Sequence, residues 1–261
     1  MISNTVTLDR ADGVGHLTLN FPAKANTLTM QVLAALEDKL SLLEADRSIR
    51  LVLLQGAGDR FFCAGGAFDD WGQMSAPDMG RTFIRTTNRV IDRIEMLDSL
   101  TVAWLNGDAI GGGLELALAT DMRIAHSHAR LYLPELSIGA VPGMRGIQRL
   151  SALIGQGRAK DMVLTGKRLD AQTALDWGLV SAIEDDLSAV QHDLIKTIAK
   201  QSGTAMMAAK QMFRALGDGP SGAHAVHEIA GTASRFSDDG REGLAALMQK
   251  RKPDFGGGTA E

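Results

Sequence analysis

The stretch Asn106-Gly107-Asp108-Ala109-Ile110-Gly111-Gly112-Gly113-Leu114-Glu115 decides how this chain is read. It follows a short apolar run, Thr101 to Leu105, which reads as a buried strand, and it opens an apolar helix at Gly112 that runs to about Ala119. Glycine tolerates backbone angles that other residues resist and lets a ligand approach closely, so this turn can present bare N–H groups. An earlier stretch, Phe61-Phe62-Cys63-Ala64-Gly65-Gly66-Ala67-Phe68, can do the same. Neither carries the Gly-x-Gly-x-x-Gly spacing that cradles a dinucleotide pyrophosphate. Two N–H groups converging on one oxygen form an oxyanion hole, often the largest single contribution in acyl-group chemistry.

Glu115 lies three residues past Gly112, so its side chain and the Gly112 amide share one side of the first helical turn. The helix is apolar all round and reads as buried, which desolvates the carboxylate. Burial raises a carboxylate pKa and a helix N-terminus lowers it; the sequence leaves the balance open. A glutamate that merely answers the helix dipole fits the same pattern. Glu135 follows Pro134, whose ring fixes the local backbone and gives the side chain a rigid placement. An exposed turn glutamate is the plainer reading of that residue taken alone. The stretch Val141-Pro142-Gly143-Met144-Arg145-Gly146, before a helix starting at Ile147, is an ordinary turn or a second donor site.

Further out, strands and helices alternate. Val6–Leu8 and His16–Leu19 read as strands joined at Asp12-Gly13. Leu28, Val32, Leu36, Leu40 and Leu43 mark one helix face capped by Thr27 or Thr29. Leu51–Leu54, Met122–Ala125 and Leu131–Leu133 are further strands, and Thr82–Leu97 is helical. This alternation predicts a layered α/β core of mainly parallel strands. After Pro142 helices dominate: Ile147–Ile154, Arg158–Leu164, Ala171–Trp177 between Asp170 and Gly178, and a run from Leu187 to Gln249. Residues 1–195 are predicted to form the core and 196–261 a helical covering or oligomerising region, with Gly256 to Glu261 a disordered tail.

Composition narrows the function. The 261 residues are 45% hydrophobic and 22% charged, ordinary for one large globular domain. With 5% aromatics, one tyrosine and a net charge of −4, the chain has neither stacking platforms nor a basic footprint for nucleic acid. Cys63 is the only cysteine, which excludes an intrachain disulfide and suits a reducing cytoplasm. The N-terminal residues lack the pattern of a secretory signal, and no apolar run reaches the roughly 18 residues of a membrane span. The six histidines have no metal-ligand spacing, so no metal is expected. Cys63 reads as a small packing residue, and Asp69-Asp70 as a cap. Lys250-Arg251-Lys252 reads as a solvated helix end.

Together the motifs resemble the enoyl-CoA hydratase/isomerase, or crotonase, family over nearly the whole chain. The similarity runs from Pro22-Ala23-Lys24-Ala25-Asn26-Thr27-Leu28 through Ala64-Gly65-Gly66 and Asn106–Glu115. It continues in Leu133-Pro134-Glu135, Pro142-Gly143 and Gln148-Arg149-Leu150, and ends in Arg241-Glu242-Gly243-Leu244 and Lys250–Pro253. The resemblance implies a spiral of ββα units with a helical trimerisation region, assembled as a homotrimer or a dimer of trimers. It implies a CoA thioester substrate with its carbonyl oxygen on the amides of Gly66 and Gly112, and Glu115 and Glu135 as the acid–base pair of a hydratase. Lys24, Ala25, Ala64, Gly65, Ala67, Phe68 and Gly143 would contact CoA, which is part of the substrate; no separate cofactor is implied.

Isomerases of the family commonly keep only the second glutamate, so hydration is the leading expectation and isomerisation the alternative. Outside the family, a scaffold protein is disfavoured by both glutamates, and a nicotinamide enzyme by the missing fingerprint. Gly66 stands where alanine is common and Ala67 where aspartate is common. Tyr132 and Arg145 stand where small residues are usual, and could reshape the acyl pocket or pair with a neighbour.

Overall fold

A hairpin starts the chain: β1 (Val6–Ala11) and β2 (Val14–Leu19) pair antiparallel about Asp12-Gly13, both of positive φ. The structure is a computed structural model and describes residues 5–215 and 219–255; the tail expected at 256–261 lies outside them. Next comes α1 (Met30–Ala45), whose N-cap Thr29 accepts a bond from the Val32 amide at 3.0 Å. Its Val32, Leu33, Leu36, Leu40 and Leu43 are buried, each such side chain stabilising by roughly 1.5–3 kcal/mol.

The chain continues through β3 (Leu51–Gly56), β4 (Phe61–Cys63), α2 (Phe68–Trp71) and α3 (Ala76–Asp78). A π-helical segment, Met79–Ile84, then runs into α4 (Arg85–Met96). After that come β5 (Leu100–Leu105), β6 (Asp108–Ile110), α5 (Gly112–Leu118), β7 (Met122–Ala125) and β8 (Arg130–Tyr132). A 3₁₀ turn (Glu135–Ile138) leads to α6 (Gly146–Thr165), β9 (Leu169–Asp170), α7 (Ala171–Asp176) and β10 (Ala182–Ile183). The two segments expected at 147–164 are arms of α6 on either side of Gly155, which takes φ 77°. Asp170 caps α7 by accepting from the Thr173 amide at 2.8 Å.

The strands sort into a six-stranded sheet, β1-β2-β3-β5-β7-β10, and a four-stranded one, β4-β6-β8-β9. From β3 to β8, each successive pair gives one strand to each sheet, which is the ββα spiral. Within the smaller sheet β4–β6 and β6–β8 are parallel. β4, β6, β9 and β10 are only two or three residues long, too short to show alternation in sequence.

Contacts divide the chain into two compact units: residues up to Leu97 with Thr101–Leu187, and Asp98–Leu100 with the residues from Ser188 on. A boundary at 195/196 would fall inside α8 (Leu187–Ile198). The second unit carries α9 (Gly203–Ala215), α10 (Gly219–Phe236) and α11 (Asp238–Met248). There Arg251 grips Glu242 through two bonds, which together with the Asp254 amide hold that carboxyl down to about 2. No helix among the described residues is long and apolar enough to cross a membrane.

Candidate active site

The smaller sheet sets three carboxyl ends side by side. β4 runs into Ala64-Gly65-Gly66, β6 into Gly111-Gly112 and β8 into Leu133-Pro134-Glu135. In sheets of this kind ligands bind beyond the carboxyl ends of parallel strands. Gly65 takes φ 87°, and a Cβ there would stand 2.9 Å from the Gly112 nitrogen, so only glycine lets the two turns come this close. A Cβ on Gly112 would in turn stand 3.3 Å from the Gly66 nitrogen. The bridge to Leu28 uses the Gly65 carbonyl (2.8 Å) and the Ala67 amide (3.2 Å), and leaves the Gly66 N–H out. Gly112 is the first residue of α5, where an amide has no acceptor in its own helix. Two unspent donors therefore lie next to each other.

Phe83, from the π-helical segment, accounts for glycine at position 66: its Cζ is 2.9 Å from where an alanine methyl would sit. Trp71 secures the same turn by donating its indole N–H to the Gly66 carbonyl at 3.2 Å.

Glu115 is 1% exposed, one of seven buried residues that make up α5. Its Oε1 accepts from the amides of Met144 (2.8 Å) and Gly146 (2.9 Å). Burial raises its pKa, and the amides of Met144, Gly146 and Gly143 and the charge of Arg149 only partly offset this. Glu135 reaches in from the other side. Gly111 has φ 54°, and a Cβ there would lie 2.7 Å from Glu135 Oε1, so the bare glycine makes room for the carboxylate. Burial, reinforced by the charge of Glu115, pushes the Glu135 carboxyl up to about 7. Its Oε2 is buried and has no hydrogen-bond partner among the described residues. The Met144 thioether packs over Gly112 and walls the site.

The other residues singled out in sequence form a strip beside the donors, with one exception. Ala25 takes a left-handed conformation (φ 51°), and its carbonyl accepts from the Ala64 amide at 3.0 Å. Lys24 pairs with Asp69 at 3.2 Å in solvent, and Phe68 is 66% exposed, edge-on to Trp71. Lys24 and Ala67 line an open groove of about 680 Å³, with Phe21, Met30 and Met74 among its walls. The groove does not extend over the two glutamates. Gly143 lies apart from the strip, in the loop that holds Glu115, with its carbonyl bound to Asn88 at 2.9 Å.

Asn26 escaped the sequence reading as a functional residue. Buried and of positive φ, it ties this strip together through Phe21, Ala57 and Phe61. Cys63 is buried, and burial pushes its thiol up to about 12, which suits packing and not nucleophilic chemistry. Arg145 takes φ 61° and pairs with Asp92 at 3.0 Å, half in solvent. Tyr132 carries the Arg168 guanidinium over its ring at 4.6 Å. No cluster among the described residues could hold a metal ion.

Main-chain donors set beside two carboxyls of raised pKa suit acid–base chemistry on a carbonyl compound. The profile of the enoyl-CoA hydratase/isomerase family matches residues 9–258, and the chain belongs to that family. It is 32% identical over 252 residues to a short-chain-enoyl-CoA hydratase of Clostridium acetobutylicum, covering 95% of this chain and 96% of that one. It is 35% identical over 253 residues to the 2,3-dehydroadipyl-CoA hydratase of Escherichia coli, covering 96% and 98%. The crystal structure of an enoyl-CoA hydratase from Bacillus anthracis superposes with a TM-score of 0.88 at 32% identity, over 97% of this chain and all of that one.

Proposed function

We propose that this protein is a hydro-lyase that adds water reversibly across the double bond of a 2-enoyl-CoA thioester. The observation that carries this reading is that Glu115 and Glu135, both of raised pKa, flank one pair of unspent amides. The thioester oxygen is received by the Gly66 and Gly112 N–H groups. As water oxygen bonds to the β-carbon, Glu115 takes one water proton, its carboxylate held in place by the Met144 and Gly146 amides. The thioester becomes an enolate, whose oxygen carries the charge the two amides are placed to meet. Glu135, whose pKa near 7 keeps much of it protonated at neutral pH, delivers a proton to the α-carbon. One proton and one hydroxyl are added, and a proton returns from Glu115 to Glu135 through solvent to reset the pair.

The strip of Lys24, Ala25, Ala64, Gly65, Ala67 and Phe68 supports a CoA contact surface, with Gly143 on the acyl side. No metal or separate cofactor takes part, so dialysis against a chelator leaves turnover unchanged. The family's place in fatty acid metabolism and a cytoplasmic location suit this chemistry. Phe213, Phe236, Leu247 and Met248 are each at least 74% exposed, which supports burial of this apolar surface in a homotrimer or a dimer of trimers. Light scattering reads that mass directly.

The function is tested by incubating the protein with short, long, branched and carboxylate-bearing 2-enoyl-CoAs in buffer and identifying the products by mass. A gain of one water on at least one substrate is expected. Shifted double bonds without water uptake, or no turnover on the whole panel, would overturn the reading.

A further inference from the structure

Gln148-Arg149-Leu150 is one of the sequence motifs, yet Arg149 reaches neither the paired amides nor Glu135. Its guanidinium is buried, and every bond it makes bears on one loop or on α4. Nη1 donates to the Met144 carbonyl at 2.8 Å. Nε and Nη2 donate to Glu95, at 3.1 and 2.6 Å, and Nη2 also to Asp92 at 2.7 Å. Asn88, Asp92 and Glu95 stand at i, i+4 and i+7 on α4, hence on one face. Asn88 holds the Gly143 carbonyl at 2.9 Å.

The consequence lies in three consecutive peptide units. Between Gly143 and Met144, the carbonyl is held by Asn88 and the N–H by Glu115. The Met144 carbonyl is held by Arg149. Between Arg145 and Gly146, the carbonyl accepts from the Arg149 amide at 3.1 Å and the N–H goes to Glu115. The two amides that orient Glu115 are thus fixed from behind, and Arg149 is the buried side chain that joins this loop to α4, beside the Asn88–Gly143 bond and the half-exposed Arg145–Asp92 pair.

We propose that Arg149 is a positioning residue for hydration: it sets the direction in which Glu115 presents its carboxylate by locking the Met144–Gly146 loop onto Asp92 and Glu95. This rests on the assignment of Glu115 given above. Burying an arginine is costly unless its donors are met, and here two carboxylates and a carbonyl meet them. A guanidinium can fork to three acceptors, whereas an ammonium is a single point of charge.

The test is a double-mutant cycle on kcat and KM with the enoyl-CoA that the parent turns over best. Arg149→Met is expected to lower kcat by about 10²-fold, the size of loss that a misplacement of about 1 Å can cause, and to leave KM within about threefold. Arg149→Lys recovers only part of that loss. Glu115→Gln is slow by itself, and adding Arg149→Met to it costs little more, because the arginine acts through a carboxylate already gone.

A structural role would instead lower the melting temperature and the active fraction. Turnover per folded site would stay at the parent value, or the two losses would multiply in the double variant. Either result overturns the proposal. If Arg149→Met does not fold, Glu95→Gln with Asp92→Asn reads the same cycle. A fast Glu115→Gln enzyme would instead refute the role of Glu115, which separates the two failures.

Discussion

Replacing Glu115 separates its chemical from its structural work. Its Oε1 accepts from two buried amides, Met144 at 2.8 Å and Gly146 at 2.9 Å. Glutamine retains an oxygen in that position, so both amides keep an acceptor while the proton-transfer group is lost. Glu115→Gln should therefore change stability by less than about 1 kcal/mol, since a weaker acceptor is offset by removing a desolvated charge. Turnover should fall by about 10²–10⁴-fold. Alanine keeps neither function. It orphans two buried donors at roughly 1–3 kcal/mol each, so Glu115→Ala should lose about 2–6 kcal/mol. Urea unfolding of the three proteins, with kcat on the best enoyl-CoA, measures both quantities. If alanine and glutamine variants unfold at the same urea concentration, the carboxylate does not hold the loop. If the glutamine variant turns over at the parent rate, Glu115 is not the base.

Glu135 and Arg145 carry the remaining outcomes. Glu135 has its pKa raised from 4.5 to about 7, so the native state keeps a proton that the unfolded chain has already lost. Its contribution to stability is full below about pH 4.5 and is lost as pH rises through about 7; Glu135→Gln should flatten that part of a urea-midpoint profile against pH. In the parent, kcat/KM should fall as pH rises through about 7, and a flat profile to pH 9 would remove Glu135 as the acid. Arg145 holds a left-handed conformation and a half-exposed pair with Asp92. Glycine would relieve about 1 kcal/mol of backbone strain and forfeit a surface pair worth about 0–1 kcal/mol. Arg145→Gly should therefore be at least as stable as the parent and affect crotonyl-CoA and a carboxylate-ended enoyl-CoA equally. A loss confined to the second substrate would make Arg145 a substrate contact.

Residues differed in how far their roles could be read from sequence, and the difference is physical. Gly65, Gly66, Gly111 and Gly112 stand out because no other residue type does what their backbone does, and Glu115 because a charge amid leucines must be accounted for. Both signals are local in the chain. Their juxtaposition is not local: it depends on β4 and β6 lying parallel in one sheet, and a strand such as Phe61–Cys63 or Asp108–Ile110 is too short to announce itself. The support for Glu115 is still less visible. Asn88, Asp92 and Glu95 are ordinary polar residues on an amphipathic helix, where the default reading is a solvated face. Only the fold brings Arg149 to Asp92 and Glu95 across more than 50 residues of chain. A reacting group is selected for what it is, and its chemistry shows in its type. A positioning group is selected for what it touches, and any side chain of the right reach and charge can serve. This is why the glycines and Glu115 draw attention in the sequence, while the bonds of Arg149 to the Met144 carbonyl, Asp92 and Glu95 emerge only from the fold.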